Sequence, residues 1–232
     1  MTAKSDIERH FSRTADVWRD RIYRSRSRQG WFEYYDKQYR FDYTIGMIEP
    51  ALRPRARALD VGCGAGQLIP ILDGLGYRVD AIDISKNMVE HARRTAEEAG
   101  VNANVRIGDC EKLDLPNDSL DLVVAMGVIE YMDEDAPMLG EFARVLKAGG
   151  VAIVTTRNVR CLPIRWRFLY RRCRQATRNA LLRPLGRETR PYREISREHD
   201  PNAFCASLRK SGFRPLVERY VHCHALPAPL NA

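Results

Sequence analysis

Three glycines fall within five residues in the stretch ALDVGCGAGQL, residues 58–68, and they closely follow an acidic residue. Glycine loses more conformational freedom on folding than any other residue, so Gly62, Gly64 and Gly66 indicate a tight turn or a ligand against bare backbone. Asp60 precedes the first glycine by two residues, and a carboxylate there suits a cationic amine better than a pyrophosphate. The stretch therefore predicts a site for a nucleotide-like ligand that carries an amine.

A second acidic residue ends the next apolar run. Asp83 lies 17 residues after Gly66, where its carboxylate can accept hydrogen bonds from both hydroxyls of a ribose. The glycine spacing is G-x-G-x-G and position 67 is glutamine, whereas dinucleotide-binding turns follow G-x-G-x-x-G or G-x-G-x-x-A. A nicotinamide-dependent dehydrogenase is the rival interpretation of the same turn.

Short apolar runs alternate with helical patterns between residues 56 and 157. This alternation predicts an α/β fold with a doubly wound, mostly parallel sheet that helices cover on both faces. In such folds the ligand lies at the carboxyl ends of the strands, where the glycine turn and Asp83 both fall. The predicted strands are 56–62, 78–83, 104–109, 121–127 and 150–156, and the predicted helices between them are 67–75, 86–100 and one that ends at Gly149.

Four motifs in this region resemble those of class I S-adenosylmethionine-dependent methyltransferases. They read ALDVGCGAGQL, RVDAIDIS, IGDCEKLDLPNDSLDLVVAMGVIEYM and LKAGGVAIVTT, in the order and spacing of that family. The resemblance implies a Rossmann-like methyltransferase fold and S-adenosylmethionine as the methyl donor, with S-adenosylhomocysteine as product. The acid after the second strand grips the ribose in that family, and the acid after the third meets the adenine amino group.

The motifs assign a role to individual residues. Asp83 and Asp109 match the two acids, the Cys110 backbone would face the adenine ring, and Ala125, Met126 and Gly127 would line the methionine part. The cofactor-binding residues that the resemblance implies are Asp60, Gly62, Gly64, Gly66, Asp83, Ile84, Asp109, Cys110 and Met126.

Residues 1–50 hold half of the aromatic residues of the chain, and we expect a helical lid there. Aromatic walls favour sulfonium chemistry because they exclude water and attract the cation; helices that pack on the sheet edge are the alternative. The segment YDKQYRFDYTIGMI, residues 35–48, resembles the helix before the glycine motif in ubiquinone-biosynthesis O-methyltransferases. That resemblance implies that Arg40 pairs with the cofactor carboxylate, the alternative being a solvated arginine.

The catalytic base is the point at which the sequence departs from its relatives. Many have the sequence LEH after the fourth strand, whereas this chain has Ile129, Glu130 and Tyr131. Tyrosine has an unperturbed pKa near 10 and is a poor base at neutral pH, so we expect Tyr131 to orient the acceptor. This departure argues against simple phenol O-methylation. Methylation of an oxygen is still the predicted reaction, with N- or C-methylation as alternatives. His10 and His199 are the remaining candidate bases, with a surface role as the alternative for each.

An arginine-rich insertion at about 158–198 separates the fifth strand from the C-terminal part. From residue 157 to residue 197, thirteen arginines and two glutamates give a charge of +11, so the rest of the chain carries −3 of the total of +8. Residues 164–182 have the pattern of a basic amphipathic helix. Four interpretations compete: contact with an anionic membrane surface or a lipid-like acceptor, a solvated helix face, binding of RNA or another nucleic acid, and binding of an acidic soluble substrate.

The domain boundaries, the apolar runs and the cysteines limit the classes of protein to which the chain can belong. We expect a lid over 1–50 and a methyltransferase domain over 51–232. The domain is expected to contain a helix at 200–213 and a sixth strand at 214–226, and no seventh strand. No apolar run is long enough to span a bilayer and no secretion signal begins the chain, so we expect a cytoplasmic protein with reduced cysteines, peripheral to a membrane at most. His222, Cys223 and His224 favour a strand end over a metal site. Nothing in the sequence indicates an oligomeric state.

The predicted function is therefore methyl transfer from S-adenosylmethionine to a small-molecule or lipid-like acceptor. The stretch after the fourth strand lacks the Asn/Asp-Pro-Pro-Tyr motif of enzymes that methylate base amines, and the chain has no Pro-Cys pair of the kind that base C5 enzymes use. Ribose methylation in RNA stays an alternative. A cofactor-binding subunit without catalytic activity is the alternative from another class.

Overall fold

The computed structural model describes residues 3–17, 31–50, 55–160, 173–174, 176–177 and 197–218. The arginine-rich insertion therefore lies almost wholly outside the described residues, as do His222, Cys223 and His224.

The described residues form a parallel five-stranded sheet. Its strands are β1 (Arg57–Val61), β2 (Arg78–Asp83), β3 (Asn104–Ile107), β4 (Leu120–Met126) and β5 (Leu146–Thr155). They lie in the order β3-β2-β1-β4-β5, with every neighbouring pair parallel. The order reverses beside β1, and a ligand site in a doubly wound sheet is expected at that switch point. The predicted α/β class and its doubly wound sheet are confirmed.

Helices connect the strands and cover both faces of the sheet. They are α1 (Ala3–Val17), α2 (Trp31–Gly46), α3 (Ile69–Gly74), α4 (Lys86–Glu98), α5 (Ala136–Val145) and α6 (Pro201–Lys210), with a short 3₁₀ turn at Ile129–Tyr131. The hydroxyl of Ser85 caps α4 by accepting the backbone N–H of Met88 at 3.4 Å. The carboxylate of Asp200 caps α6 in the same way, so both predicted helix starts are correct to within a residue.

Strand alternation divides the hydrophobic core into two clusters, one on each face of the sheet. Ala58 of β1 packs with α3 and α4, whereas Leu59 and Val61 pack on the opposite face with α5. Helix α2 joins the first cluster, because Phe41 and Ile45 pack against it. For this part of the N-terminal region, the alternative prediction of a helix that packs on the sheet is therefore correct.

The structure differs from the predicted elements in two places. Strand β5 begins at Leu146 rather than at residue 150, and its register against β4 shifts between Leu120 and Leu122. The residues KAGG lie in this irregular stretch and extend the strand instead of closing α5, because α5 already ends at Val145. In the predicted sixth strand, residues 214–218 are not in a strand, and 219–226 lie outside the described residues. Among the described helices, none is both long and apolar enough to cross a membrane.

Candidate functional site

The glycine turn is tied to the end of β2 by one carboxylate. Asp83 accepts the backbone N–H of Gly64 on Oδ2 at 3.0 Å and that of Ser85 on Oδ1 at 2.8 Å. Burial raises the pKa of Asp83, and the hydrogen bonds from these backbone groups oppose that rise. Each carboxylate oxygen retains a lone pair for a further donor. Asp83 can therefore hold the turn and accept ribose hydroxyls at the same time.

Packing inside the protein explains two of the three glycines. Gly62 and Gly66 have φ values of +64° and +80°, in the left-handed region. A Cβ on Gly62 would lie 2.5 Å from Cγ2 of Val128, and one on Gly66 would lie 2.8 Å from Cα of Ala92. A side chain at Gly62 would displace Val128, which follows β4, and one at Gly66 would force α4 away from the turn. The close approach that the sequence pointed to thus involves neighbouring protein elements as well as any ligand.

Asp60 is a buried acid beside this turn, with only 2% of its surface exposed. Burial, together with the negative charge of Asp83, raises the pKa of Asp60 to about 7. We call the region at the carboxyl ends of β1, β2 and β4 the cleft. A positive charge that entered it would offset both effects, because it stabilises the ionised carboxylate. The site is therefore suited to a ligand with an ammonium group and is unfavourable for phosphate.

Arg40 reaches the cleft from α2. Its Nη1 lies 2.7 Å from the position that a Cβ of Gly127 would take, so the guanidinium lies directly over the end of β4. Gly127 has a φ of +66° and donates its N–H to Thr155, with an Oγ1 distance of 2.9 Å. No hydrogen bond or ion pair joins the guanidinium to any described residue. A half-buried guanidinium of this kind is available to a carboxylate ligand.

The end of β3 meets the N-terminal helix. Lys4 Nζ donates to Asp109 Oδ2 at 2.5 Å and also forms an ion pair with Glu111. The second oxygen of Asp109 accepts the backbone N–H of Glu111 at 2.9 Å. Cys110 between them is buried, and burial raises the pKa of its thiol to about 12, so this thiol is no nucleophile. Asp109 thus anchors α1, and its role in adenine recognition stays a prediction.

Helix α1 continues across the carboxyl ends of the strands. The Ser12 and Ser85 hydroxyls are 3.0 Å apart, and Asn87 donates from Nδ2 to the Ser12 carbonyl at 2.9 Å. The rings of Phe11 and Tyr131 meet edge to face, with centroids 5.1 Å apart. Helix α1 thus contacts the segments that follow β3, β2 and β4, and its role as a lid stays a prediction.

The other aromatic residues of the N-terminal region differ in environment. Phe41 packs on the core, and the Tyr43 side chain is half exposed. For His10, burial lowers the pKa of the imidazole, and its ring stacks on that of Phe11 in an edge-to-face contact. His10 therefore lies on the lid helix, beside the ring that faces Tyr131.

His199 lies in the chain segment before α6, beside the end of β5. Its Nδ1 lies 2.6 Å from Thr156 Oγ1 and its Nε2 lies 3.0 Å from Asp135 Oδ1. His199 is 7% exposed and forms a parallel bridge with Asn158 just beyond β5. The structure thus joins His199 to two residues that sequence reasoning did not single out. Thr156 and Asp135 lie 43 and 64 positions away in the chain, and no local pattern marks them.

The remaining predicted cofactor residues lie at the same edge of the sheet. Ile84 is half-buried beside Asp83, and Met126 ends β4 opposite Thr155 of β5. Among the described residues, no group of three or more histidine, cysteine or acidic side chains is arranged to hold a metal ion.

Comparison with known proteins agrees with this geometry. Residues 59–154 match the family model described as a methyltransferase domain. The ubiquinone biosynthesis O-methyltransferase of Bradyrhizobium sp. (strain ORS 278) is 37% identical over 102 residues, which cover 44% of this chain and 40% of that protein. The protein of the same name from Xanthomonas axonopodis pv. citri (strain 306) is 35% identical over 120 residues, covering 51% and 49%. The chain spans about half the length of the curated relatives it matches, or less.

Solved structures resemble the whole described fold. Magnesium protoporphyrin IX methyltransferase from Synechocystis PCC 6803, solved with bound S-adenosylhomocysteine, superposes with a TM-score of 0.66 at 20% identity, over 90% of this chain and 89% of that one. The [4+2]-cyclase SpnF superposes with a TM-score of 0.65 at 21% identity, over 93% and 74%. At this identity the likeness shows the fold alone. A cyclase and a methyltransferase are both among these structures, so one fold serves different reactions.

Fold, site and comparisons together define an α/β protein with a Rossmann-like methyltransferase sheet. Residues 59–154 match the model of a methyltransferase domain, in agreement with the four sequence motifs that resemble class I S-adenosylmethionine-dependent methyltransferases.

Proposed function

We propose that the protein binds S-adenosylmethionine at the glycine turn and transfers its methyl group to a hydroxyl of a small, lipid-like or aromatic acceptor. One observation carries the cofactor assignment: Asp83, Asp60 and the guanidinium of Arg40, which bonds to no described residue, lie at the carboxyl ends of neighbouring strands. These groups complement a ribose, an ammonium and a carboxylate, which are the polar parts of S-adenosylmethionine. A dinucleotide would instead bring phosphates toward two buried acids, which repel them.

The hydroxyl acceptor has two lines of support. The curated relatives are named ubiquinone biosynthesis O-methyltransferases, although they share only part of their length with this chain. In addition, the Phe11 and Tyr131 rings meet edge to face beyond the end of β4, and aromatic rings there would suit a flat or apolar acceptor. The sequence of the arginine-rich insertion, a basic amphipathic pattern, supports a lipid-like acceptor as the alternative.

The test has a binding step and a transfer step. Calorimetry should detect binding of S-adenosylhomocysteine and none of NAD, because only the first ligand fits the charges of the cleft. Incubation of the protein with methyl-labelled S-adenosylmethionine and cell extract should then place label in the small-molecule or lipid fraction. Label in RNA would replace the acceptor class with nucleic acid. Binding without any transfer would instead identify a cofactor-binding subunit.

A further inference from the structure

We propose that Thr156, His199 and Asp135 form a proton relay that removes the proton of the acceptor hydroxyl during methyl transfer. The inference rests on the proposed function, since it supplies the base that hydroxyl methylation requires. It assigns to residues far apart in the chain the role that a histidine after the fourth strand would otherwise take.

The hydrogen bonds around His199 fix its tautomer. An ionised carboxylate can only accept, so Nε2, 3.0 Å from Asp135 Oδ1, carries the ring proton when the imidazole is neutral. Nδ1 is then an acceptor, and the Thr156 hydroxyl donates to it across 2.6 Å. The Thr156 oxygen still has lone pairs that point away from this bond. Thr156 can therefore accept the proton of a bound hydroxyl while it passes its own proton to His199.

The backbone around His199 holds the ring in this orientation. Its N–H donates to the Arg157 carbonyl at 2.8 Å, and its carbonyl accepts from Val159 at 3.1 Å. The ring of Phe204 from α6 packs against the imidazole edge to face, at a centroid distance of 5.2 Å. These contacts leave the imidazole little freedom, as expected of a group that must keep a catalytic geometry.

The charges that face His199 favour the transfer of a proton to it. Asp135 also accepts from Arg197 Nη2 at 2.5 Å, and among the described residues Arg197 and His199 are the basic side chains at this carboxylate. Although burial tends to raise the pKa of Asp135, the hydrogen bonds from His199 and Arg197 lower it below its ordinary value. Asp135 is therefore ionised throughout the neutral range and stabilises an imidazolium. Thr156 completes the set of polar groups on the ring.

The relay lies next to the cofactor cleft, at the carboxyl ends of β4 and β5. Gly127 donates its N–H to both the carbonyl and the hydroxyl of Thr155, so the residue before Thr156 is fixed to the glycine beneath Arg40. The segment that carries His199 also crosses the turn containing Tyr131, because Arg197 N–H donates to the Glu130 carbonyl at 2.5 Å. The relay thus borders the cleft on the side of the predicted acceptor-orienting residue.

The step balances as a single displacement. The acceptor O–H bond breaks, its proton passes to Thr156 Oγ1, and the original Thr156 proton passes to His199 Nδ1. The acceptor oxygen forms a bond to the methyl carbon while the methyl–sulfur bond breaks. The electron pair of the broken bond remains on sulfur. The imidazolium then returns its proton to water after the product leaves.

Two substitutions of Thr156 separate the relay from packing. Thr156→Val keeps the shape and removes the hydroxyl, whereas Thr156→Ser keeps the hydroxyl and removes a methyl group. With S-adenosylmethionine and a catechol probe, we expect Thr156→Val to lower kcat about 100-fold and Thr156→Ser to stay within about threefold of wild type. Affinity for S-adenosylhomocysteine should be unchanged in both. As a control, Ser119→Ala removes a hydroxyl at the amino end of β4, where it donates to Pro116, and should leave kcat unchanged.

A readout without turnover tests the relay independently. Nitrogen-15 NMR of the histidine rings in the ligand-free protein, assigned with His199→Asn, should show the Nε2–H tautomer of His199, and Thr156→Val should shift the Nδ1 resonance. The Nδ1–H tautomer would overturn the relay, as would equal kcat in Thr156→Val and wild type. A wild-type protein that binds S-adenosylhomocysteine but methylates no hydroxyl probe would overturn the proposed function, and the catalytic role of the relay with it, even if the tautomer is as expected.

Discussion

Asp83 and Gly64 are 19 residues apart in the chain, yet the Asp83 carboxylate accepts the Gly64 backbone N–H at 3.0 Å. This bond joins the end of β2 to the turn that follows β1, so the residue expected to hold the ribose also shapes the glycine turn. Loss of Asp83 would therefore affect the ligand in two ways, through its hydroxyls and through the backbone beneath it.

Replacing Asp83 by alanine should weaken S-adenosylhomocysteine binding about 10- to 100-fold, since hydrogen bonds to a charged acceptor contribute roughly 1.5–3 kcal/mol. Calorimetry with adenosine and 2′,3′-dideoxyadenosine isolates the ribose part: wild type should prefer adenosine, and Asp83→Ala should lose that preference. Asp80→Asn is the matched control, because Asp80 is buried in the same strand but bonds to Arg57 and Asn104. An adenosine preference that survives in Asp83→Ala would refute the ribose assignment.

Binding of S-adenosylhomocysteine should release protons near pH 7. The pKa of Asp60 is raised to about 7 in the free protein, and the ligand ammonium should lower it, so a proton leaves when the complex forms. Calorimetry in buffers of different ionisation enthalpy measures this release, which Asp60→Asn should remove. Equal release in the variant and the wild type would assign the proton to another group.

The same acid should make the ligand-free protein less stable at higher pH. Its pKa in the folded state lies above the unfolded value of 3.8, so the folded state binds more protons between those values. The contribution of Asp60 is therefore fully present below about pH 4 and is lost as the pH rises through about 7. Denaturant unfolding at pH 6 and pH 8 should show Asp60→Asn gaining stability relative to wild type at the higher pH.

The guanidinium of Arg40 is expected to recognise the ligand carboxylate. Arg40→Ala should then weaken S-adenosylhomocysteine, whereas 5′-methylthioadenosine, which has no carboxylate, should bind as it does to wild type. Calorimetry with the two ligands gives this comparison within one protein. Equal losses for both ligands would show that Arg40 acts through the packing of α2.

The lid helix should detach when the charge at its first turn is reversed. Lys4→Glu brings a third carboxylate against Asp109 and Glu111, so hydrogen exchange of the α1 amides should accelerate while the sheet stays protected. Arg13→Glu is the matched control, because at about 100° per residue it lies on the opposite side of α1. Equal acceleration in both variants would attribute the effect to helix charge rather than to docking.

The arginine-rich insertion is expected to bind anionic membranes. Each basic residue near such a surface contributes about 1 kcal/mol, and screening over about 8 Å at physiological ionic strength weakens the attraction. Co-sedimentation with phosphatidylserine vesicles should be lost in high salt and in a variant with Arg171, Arg172 and Arg174 changed to Glu; neutral vesicles should not bind. Binding that ignores both changes would exclude an electrostatic contact.

The sequence by itself determined the sheet and the edge of it at which the glycine turn and Asp83 meet. Buried parallel strands are continuous apolar runs, and the residues that follow each run fall at one edge of the sheet. Gly62, Gly64 and Asp83 could therefore be placed at this edge of the sheet from the sequence alone. The start of β5 was missed because KAGG has the composition of a helix end, and only pairing with β4 extends the strand through it.

Tertiary structure decided how the cleft is covered and which groups can move a proton. Lys4 meets Asp109 across 105 residues, and His199 meets Thr156 across 43. Neither pair has a periodicity or a motif, because a hydrogen bond between distant segments depends on where the chain returns and not on local pattern. Lys4 and His199 can thus form these contacts only when the fold brings α1 and the segment before α6 to the ends of the strands.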